Sequence, residues 1–338
     1  MKYLALIRYN DWWLYKVPFL LTIAYGTFYL TDICIENKWF EIIKIITYII
    51  AAAIYVSVIN DITDMKIDRL VGKKNLFLGL SKSIVHSILS LAIILQLIVI
   101  YSLQDNGQSV YWYIAAVVAY SLYSIPPIRL KENKYLSIIA DTCGAHAFPS
   151  MFIVTYINGI TLTLLDINWA ILIFIWSFSY GLRGIIYHQY KDKENDLYSG
   201  IHTLSNSLPI KKLKLFVLFV FVIELGSLIY LLQILNILTI YMWLIYYLLI
   251  IIVRTLIYSS KIIIAVPSSK FYQILLAEFY EMFLPISLLL SFTNCENTWI
   301  LVMCQLLLFP KRIITIYKEC IDYYNRLKFF LSKAKIRH

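Results

Sequence analysis

Residues 45–68 decide the fold, because an apolar run passes there without a break into regularly spaced aspartates: IITYIIAAAIYVSVINDITDMKID. The first 15 of these residues carry no charge. With the apolar residues before them they can cross a bilayer, which takes about 20 apolar residues. Inside lipid, a single segment satisfies its own backbone hydrogen bonds only as a helix. We therefore expect a transmembrane helix whose end carries aspartates out of the membrane.

Similar apolar runs occupy most of the chain. Hydrophobic residues make up 61% and charged residues 15% of the 338 residues, and the mean hydropathy is +0.74. Soluble domains carry about 25% charged residues, and barrel strands would alternate apolar and polar residues. The predicted fold is an all-α polytopic membrane helical bundle with nine to ten transmembrane helices, the last of them short. The predicted spans are 17–35, 39–60, 81–103, 109–125, 136–157, 168–189, 212–234, 237–259, 271–292 and 297–310.

The distribution of charge predicts a topology. The formal net charge is +10, and the lysines and arginines concentrate near the N-terminus, in every second link and in the C-terminal tail. The positive-inside rule then places both termini and these links in the cytoplasm. We expect one integral membrane, multi-pass domain over 1–338, with a core at about 8–292, a candidate extra span at about 297–310 and a basic tail at 311–338. The partners expected from charge are membrane lipids and no nucleic acid.

The five cysteines, at positions 34, 143, 295, 304 and 320, show no CxxC or Cys/His spacing. Such spacing is what indicates a thiolate metal site or a disulfide framework. We therefore interpret all five as ordinary buried cysteines.

A pattern of polar residues occurs twice at an offset of 128 residues, after the second and the sixth predicted spans. The copies are Asn60, Asp61, Asp64, Asp68 and Gly72 in the first loop, and His188, Gln189, Asp192, Asp196 and Gly200 in the second. Four predicted spans separate them. This spacing predicts two pseudo-repeated four-helix halves that carry equivalent loops to one membrane face.

Carboxylates at this spacing predict a cation site. Intervals of three and four residues place Asp61, Asp64 and Asp68 on one face of a continuing helix, and the same holds for Asp192 and Asp196. Like charges so close repel unless water or a cation neutralises them. Oxygen ligands alone favour a hard ion such as Mg²⁺. The alternative is a solvated acidic loop.

Residues 123–131, between the acidic loops, read YSIPPIRLK. Because the two prolines stop a helix, Arg129 and Lys131 should emerge on the same face as both acidic loops. There they could hold phosphate oxygens. Lys73 and Lys191, which lie beside or within the acidic loops, have the same potential. Each of these cations could instead serve only as a cytoplasmic anchor.

These motifs together resemble the UbiA superfamily of intramembrane prenyltransferases, over about residues 8–292. The first hallmark, NDxxDxxxD, is complete at 60–68, the second is met at 192–200, and the YSxPPxRLK link stands at 123–131. The N-terminal Arg8, Trp12, Trp13 and Lys16 are similar, more loosely, to the first segment of the family.

The resemblance implies Mg²⁺-dependent transfer of a prenyl group from an isoprenyl diphosphate to a small acceptor, through an allylic cation in a membrane-embedded chamber. Two Mg²⁺ ions would bind the acidic motifs. Their ligands would be Asn60, Asp61, Asp64, Asp68, Asp192 and Asp196, and the catalytic residues would be Asp64, Asp68, Asp192, Asp196 and His188. The diphosphate would be bound by Lys73, Tyr123, Arg129, Lys131, Arg183 and Lys191.

Two departures limit what the resemblance implies. Gln189 stands where the second motif usually opens with Asp, and residues 72–76 lack the Arg-Pro ending common in quinone-pathway members. We therefore expect an asymmetric metal site, with Gln189 at the acceptor or behind a metal ligand. His188 could accept the proton lost after capture of the cation, or be an ordinary hydrogen-bonded histidine.

Ionisable residues inside the spans are further candidates, because charge in lipid is costly. Arg183 is expected to face the chamber and pair with an acidic residue or the diphosphate, or else to snorkel to the surface. Asp141 and His146 are candidate acceptor-pocket residues. Glu278 and Glu281 are candidates for the acceptor site or for a contact between helices.

Two other functions stay open. The same metal site without an external acceptor gives a terpene cyclase, which the mass of the product would distinguish. A non-catalytic transporter or scaffold would also carry buried charges and repeats. A transporter, however, would hold its carboxylates near the midplane rather than at one face.

Overall fold

The computed structural model describes residues 12–198, 200–267, 269–293 and 295–335, with side chains to residue 325 at the C-terminal end. The described residues are 77% helical, which confirms the all-α class. Arg8, part of the N-terminal resemblance, lies outside the described residues.

In chain order the helices are α1 (Lys16–Leu30), α2 (Trp39–Leu70), α3 (Lys82–Ser102), α4 (Ser109–Ser124), α5 (Leu136–Thr142), α6 (Phe148–Thr161), α7 (Ile167–Lys191), α8 (Lys193–Tyr198), α9 (Leu204–Ser207), α10 (Ile210–Leu235), α11 (Leu238–Tyr258), α12 (Leu284–Leu289), α13 (Thr298–Leu308) and α14 (Pro310–Lys335). A π-helical turn at Cys143–Ala147 joins α5 to α6, and another at Phe279–Phe283 leads into α12. Two short strands, β1 (Lys261–Ile263) and β2 (Tyr272–Ile274), pair in parallel.

Six helical segments of the described chain are long and apolar enough to cross a membrane, or seven if the bent pair α13 and α14 counts as one span. The predicted count of nine to ten and the two-halves repeat are therefore not confirmed. The predicted spans 17–35 and 109–125 fall on α1 and α4, which have only 15 and 16 residues. Apolar runs continue through turns, so hydropathy alone overstates the length of the helices.

Helix α1 lies at the centre of the bundle, where its residues from Val17 to Phe28 are buried on every side. A helix that is apolar all round is expected in such a place. It packs against α6 and α12, and the ring of Phe19 lies 4.7 Å from the rings of Trp176 and Tyr180 on α7. The N-terminal end of α1 is thereby held beside α7, which carries the second acidic motif.

A disulfide joins Cys34, after α1, to Cys295, before α13, with a Cα–Cα distance of 5.6 Å. The interpretation of all five as ordinary buried cysteines was wrong, because these two are paired, Cys143 is half-buried, and Cys304 and Cys320 are exposed. The partners stand 261 residues apart in sequence, so no local spacing signals them. Glu36 also accepts hydrogen bonds from the backbone and side-chain nitrogens of Asn297, each at 2.8 Å. This end of the bundle is therefore tied across its two terminal segments.

Candidate active site

The first acidic motif lies on the last turns of α2, which runs as one helix from the apolar stretch to Leu70. The structure thus has the continuing helix that the spacing predicts. Asp61 is buried, and Asp64 and Asp68 are half-buried. Because one helix carries all three carboxylates, their spacing is set by backbone hydrogen bonds rather than by a flexible loop.

The link after α4 brings two cations to this motif. The Arg129 guanidinium donates to Asp64 Oδ1 at 2.7 Å and to the carbonyl oxygen of Thr63 at 3.0 Å. The Lys131 ammonium donates to the same Asp64 oxygen at 2.5 Å and to Asn60 Oδ1 at 3.0 Å. Burial lowers the pKa of Lys131, against the opposing effect of the Asp64 carboxylate. The link therefore presents positive charge directly beside the acidic motif, as predicted.

Asn75 is a site residue that the sequence reasoning missed. Its side-chain amide nitrogen donates to Asp68 Oδ2 and to the carbonyl oxygen of Asp61, both at 2.8 Å. The chain returns to α2 through Gly72, whose φ of +68° favours glycine. An asparagine seven residues after Asp68 was a usable signal, because a side-chain amide can donate to a carboxylate without neutralising it.

The second acidic motif lies where α7 ends and α8 begins. Burial, followed by the negative charge of Asp192, raises the pKa of Asp196 to about 6. Lys73, from the loop after the first motif, places its ammonium 3.7 Å from Asp192 Oδ2. The two motifs, 128 residues apart in sequence, therefore face each other across a gap bridged by a lysine.

His188 and Gln189 diverge, although they are adjacent in sequence. Gln189 is buried and its amide donates to the Ser137 hydroxyl on α5 at 3.3 Å. His188 instead lines a cavity together with Asp192. Gln189 thus contacts a neighbouring helix, and only His188 of the pair reaches the open space.

Two cavities open next to the motifs. The smaller, of about 250 Å³, is lined mainly by apolar side chains of α1, α2, α4 and α6, with Asn60, Tyr123 and Asp141 among its polar residues. The larger, of about 1290 Å³, is lined by polar and aromatic groups that include His146 and His188. Lys16 lines both cavities. Asp141 and His146 therefore belong to different cavities, as their spacing of five residues allows.

Arg183 makes a buried ion pair. Its Nε and Nη2 donate to the two carboxylate oxygens of Glu224, each at 2.6 Å, and its Nη1 donates to the carbonyl oxygen of Ile264 at 2.8 Å. The prediction of an acidic partner is confirmed, and snorkelling is excluded because Arg183 is only 2% exposed. Glu224 was missed, although it is the only charged residue in 215–235. An acid so isolated in an apolar helix was the available signal.

Glu278 and Glu281 are likewise paired with arginines. Arg254 on α11 donates to both oxygens of Glu278, and Arg312 on α14 donates to Glu281 Oε2 at 2.9 and 2.6 Å. Their contacts are between helices, which is one of the two roles expected for them. All four residues line the larger cavity, so these two ion pairs form part of its wall.

Comparison with known families identifies the chain. The model of the UbiA prenyltransferase family matches residues 17–276, so the chain belongs to this family. No curated protein matches the sequence.

Two solved structures have a similar fold. A UbiA homolog from Archaeoglobus fulgidus bound to GPP and Mg²⁺ has a TM-score of 0.57 at 14% identity, covering 92% of this chain and 100% of its own. A second structure of a UbiA homolog from Archaeoglobus fulgidus has a TM-score of 0.54 at 14% identity, with the same coverage.

Proposed function

We propose that this chain transfers a prenyl group from an isoprenyl diphosphate to a small acceptor within the membrane, with two Mg²⁺ ions. The observation that carries the proposal is the approach of the two acidic motifs, with Lys73 of one loop 3.7 Å from Asp192 of the other. Membership of the UbiA family and the homolog bound to GPP and Mg²⁺ support the same class of substrate.

The donors of the two motifs suit Mg²⁺, because they are carboxylate and amide oxygens. In the described part of the chain, no three motif carboxylates have oxygens within 4.8 Å of one another. An ion bound at either motif would therefore take one or two carboxylates and complete its shell with water and substrate phosphates. Asn60, Asp61, Asp64 and Asp68 are the candidate ligands of one ion, of which one or two carboxylates would bind it directly. Asp192 and Asp196 would hold the other.

Cationic side chains would bind the diphosphate between the motifs. Arg129 and Lys131 are held in place by Asp64, and Lys73 and Lys191 lie at the larger cavity. Negative charge grows on the diphosphate as its bond to the prenyl carbon breaks, and fixed donors stabilise that charge. Bound Mg²⁺ would supply further positive charge to the same oxygens.

The smaller cavity suits an apolar tail, since Ile49, Ala53, Val56 and Phe152 are among its lining residues. Tyr123 and Asn60 line the same cavity, so a tail lodged there would have its diphosphate end near the first motif. A site that excludes water also protects the allylic cation from hydrolysis.

We place the acceptor in the larger cavity, where the His188 ring could take the proton that the acceptor loses on forming its bond to the prenyl carbon. His146 lines the same cavity. We give Arg183 a structural role rather than contact with the diphosphate, because Glu224 and backbone carbonyls already accept from it. The charge distribution further supports a cytoplasmic position for both motifs and both termini.

Incubation of the purified protein with Mg²⁺, isoprenyl diphosphates of several lengths and a lipid extract, followed by mass spectrometry, tests the proposal. We expect a product whose mass equals acceptor plus prenyl group. A hydrocarbon or alcohol formed without an acceptor would indicate a cyclase, and no turnover of any diphosphate would favour a transporter or scaffold.

Substitutions at both motifs test the site itself. Asp64→Asn and Asp192→Asn should lower turnover at least about a hundredfold, the scale for removing one preorganised group that stabilises charge in the transition state, without loss of membrane insertion. Asp105→Asn, in the exposed loop between α3 and α4, is the matched control and should keep full activity. Near-normal turnover in either motif variant would remove the metal-site assignment.

A further inference from the structure

The C-terminal helix α14 turns both of its acidic side chains toward the protein, beside the partly buried Ile316, whereas a helix on a water-exposed surface turns such groups to solvent. The carboxylate of Glu319 accepts from Arg254 on α11, and that of Asp322 accepts from the Tyr258 hydroxyl at 2.5 Å. Arg312 is bonded to the buried Glu281. The charged face of α14 therefore lies against the protein, over the wall of the larger cavity.

The opposite face of α14 is apolar and uncovered. Its stripe consists of Ile314, Tyr317, Ile321 and Tyr324, which are 47%, 66%, 43% and 64% exposed. Intervals of three, four and three residues place them along one side of the helix. Leu218, on the apolar span α10, is exposed to a similar degree, at 46%. Side chains exposed in this way on a span face lipid.

The direction of α14 also differs from that of a span. It leaves α13 at an angle of 81°, and Trp13 holds the bend, with its ring nitrogen 3.1 Å from the carbonyl oxygen of Leu308. If α13 follows the membrane normal, then α14 runs nearly parallel to the membrane plane. A helix that is apolar on one side and lies in this plane belongs at the boundary between headgroups and acyl chains.

The charge of α14 points to the headgroups it would meet. Residues 310–335 contain seven lysines and arginines but only two acidic residues. Both acidic side chains are engaged with the body of the protein. Lys318, exposed beside the apolar stripe, is free to meet anionic lipid, which attracts basic segments next to a membrane.

We propose that α14 is an interfacial helix whose stripe at 314, 317, 321 and 324 is buried in the acyl region of a leaflet rich in anionic headgroups. Its inner face meanwhile closes the larger cavity. On this proposal α14 binds lipid with its outer face and forms a wall of the larger cavity with its inner face. This inference does not depend on the proposed enzymatic activity.

Spin labels on the full-length protein in vesicles of phosphatidylcholine and phosphatidylglycerol test the proposal. In a background with Cys143, Cys304 and Cys320 replaced by serine, labels are attached after Ile314→Cys, Ile321→Cys and Lys318→Cys. Collision with oxygen reports lipid, and collision with a neutral nickel chelate reports water. Leu218→Cys and Asp105→Cys provide the lipid and water standards.

We expect the ratio of the oxygen collision rate to the nickel collision rate at 314 and 321 to match the Leu218 standard. The same ratio should be lower at 318. Leaving out phosphatidylglycerol should lower the ratio at 314 and 321 several-fold. A nickel collision rate at 314 and 321 equal to that of the Asp105 standard would overturn the proposal. So would low collision with both reagents together with spin–spin broadening, since a second copy of the chain would then cover the stripe.

Discussion

Removal of the Glu224 carboxylate should destabilise the protein strongly. In Glu224→Gln the side chain keeps its size, but the buried Arg183 charge loses its counter-charge. Arg183 is 2% and Glu224 0% exposed. Water therefore cannot solvate the Arg183 charge once the Glu224 carboxylate is removed. Breaking such a pair by removing one partner costs about 3–5 kcal/mol. We expect a loss of this size in the free energy of unfolding, measured by titration with sodium dodecyl sulfate in mixed micelles.

A double-mutant cycle distinguishes pairing from general damage. Arg183→Met combined with Glu224→Gln removes both charges. The backbone carbonyls that accept from Arg183 then lose their donor, which costs about 1 kcal/mol of stability for each carbonyl. The double variant should therefore be more stable than Glu224→Gln alone. Glu296→Gln, an exposed glutamate, is the matched control and should stay within about 0.5 kcal/mol of the parent. Additive effects in the cycle, or a loss below about 1 kcal/mol in Glu224→Gln, would refute the reasoning.

Three further outcomes are expected. Chelation of divalent cations should abolish turnover and added Mg²⁺ should restore it, as measured by product mass; undiminished turnover after exhaustive chelation would contradict the metal site. Gln189→Asp should lower stability, because it places a carboxyl in a buried position against Ser137; a change in Mg²⁺ dependence at unchanged stability would instead show that position 189 reaches a metal. Cys34 and Cys295 should react with an alkylating reagent only after reduction, and labelling of either before reduction would contradict the disulfide.

The local chemistry of the site was predictable from the sequence because it rests on short spacings. Intervals of three and four residues on a helix place Asp61, Asp64 and Asp68 on one side whatever the rest of the chain does. The proline pair similarly forces the chain out of α4 before Arg129 and Lys131. Each of these features needs only neighbouring residues and local backbone geometry.

Contacts between distant segments were not predictable in this way. Glu224 meets Arg183, and Cys34 joins Cys295, but nothing in the intervening sequence specifies which partner each would find. Hydropathy alone also could not give the number of spans, because an apolar residue in a turn has the same hydropathy as one in a helix. Those outcomes depend on where packing ends each helix.

The sequence by itself determined that the chain is helical and lies in a membrane, and that it carries two acidic motifs with a basic link between them. The reason is that lipid excludes any spanning segment whose backbone bonds are unsatisfied, and helical periodicity sets the faces. Only the tertiary structure decided that the motifs meet at two adjoining cavities, and that ion pairs and α14 form the wall of the larger one. Such pairings follow from the packing of whole helices, whose energy depends on every surface brought into contact.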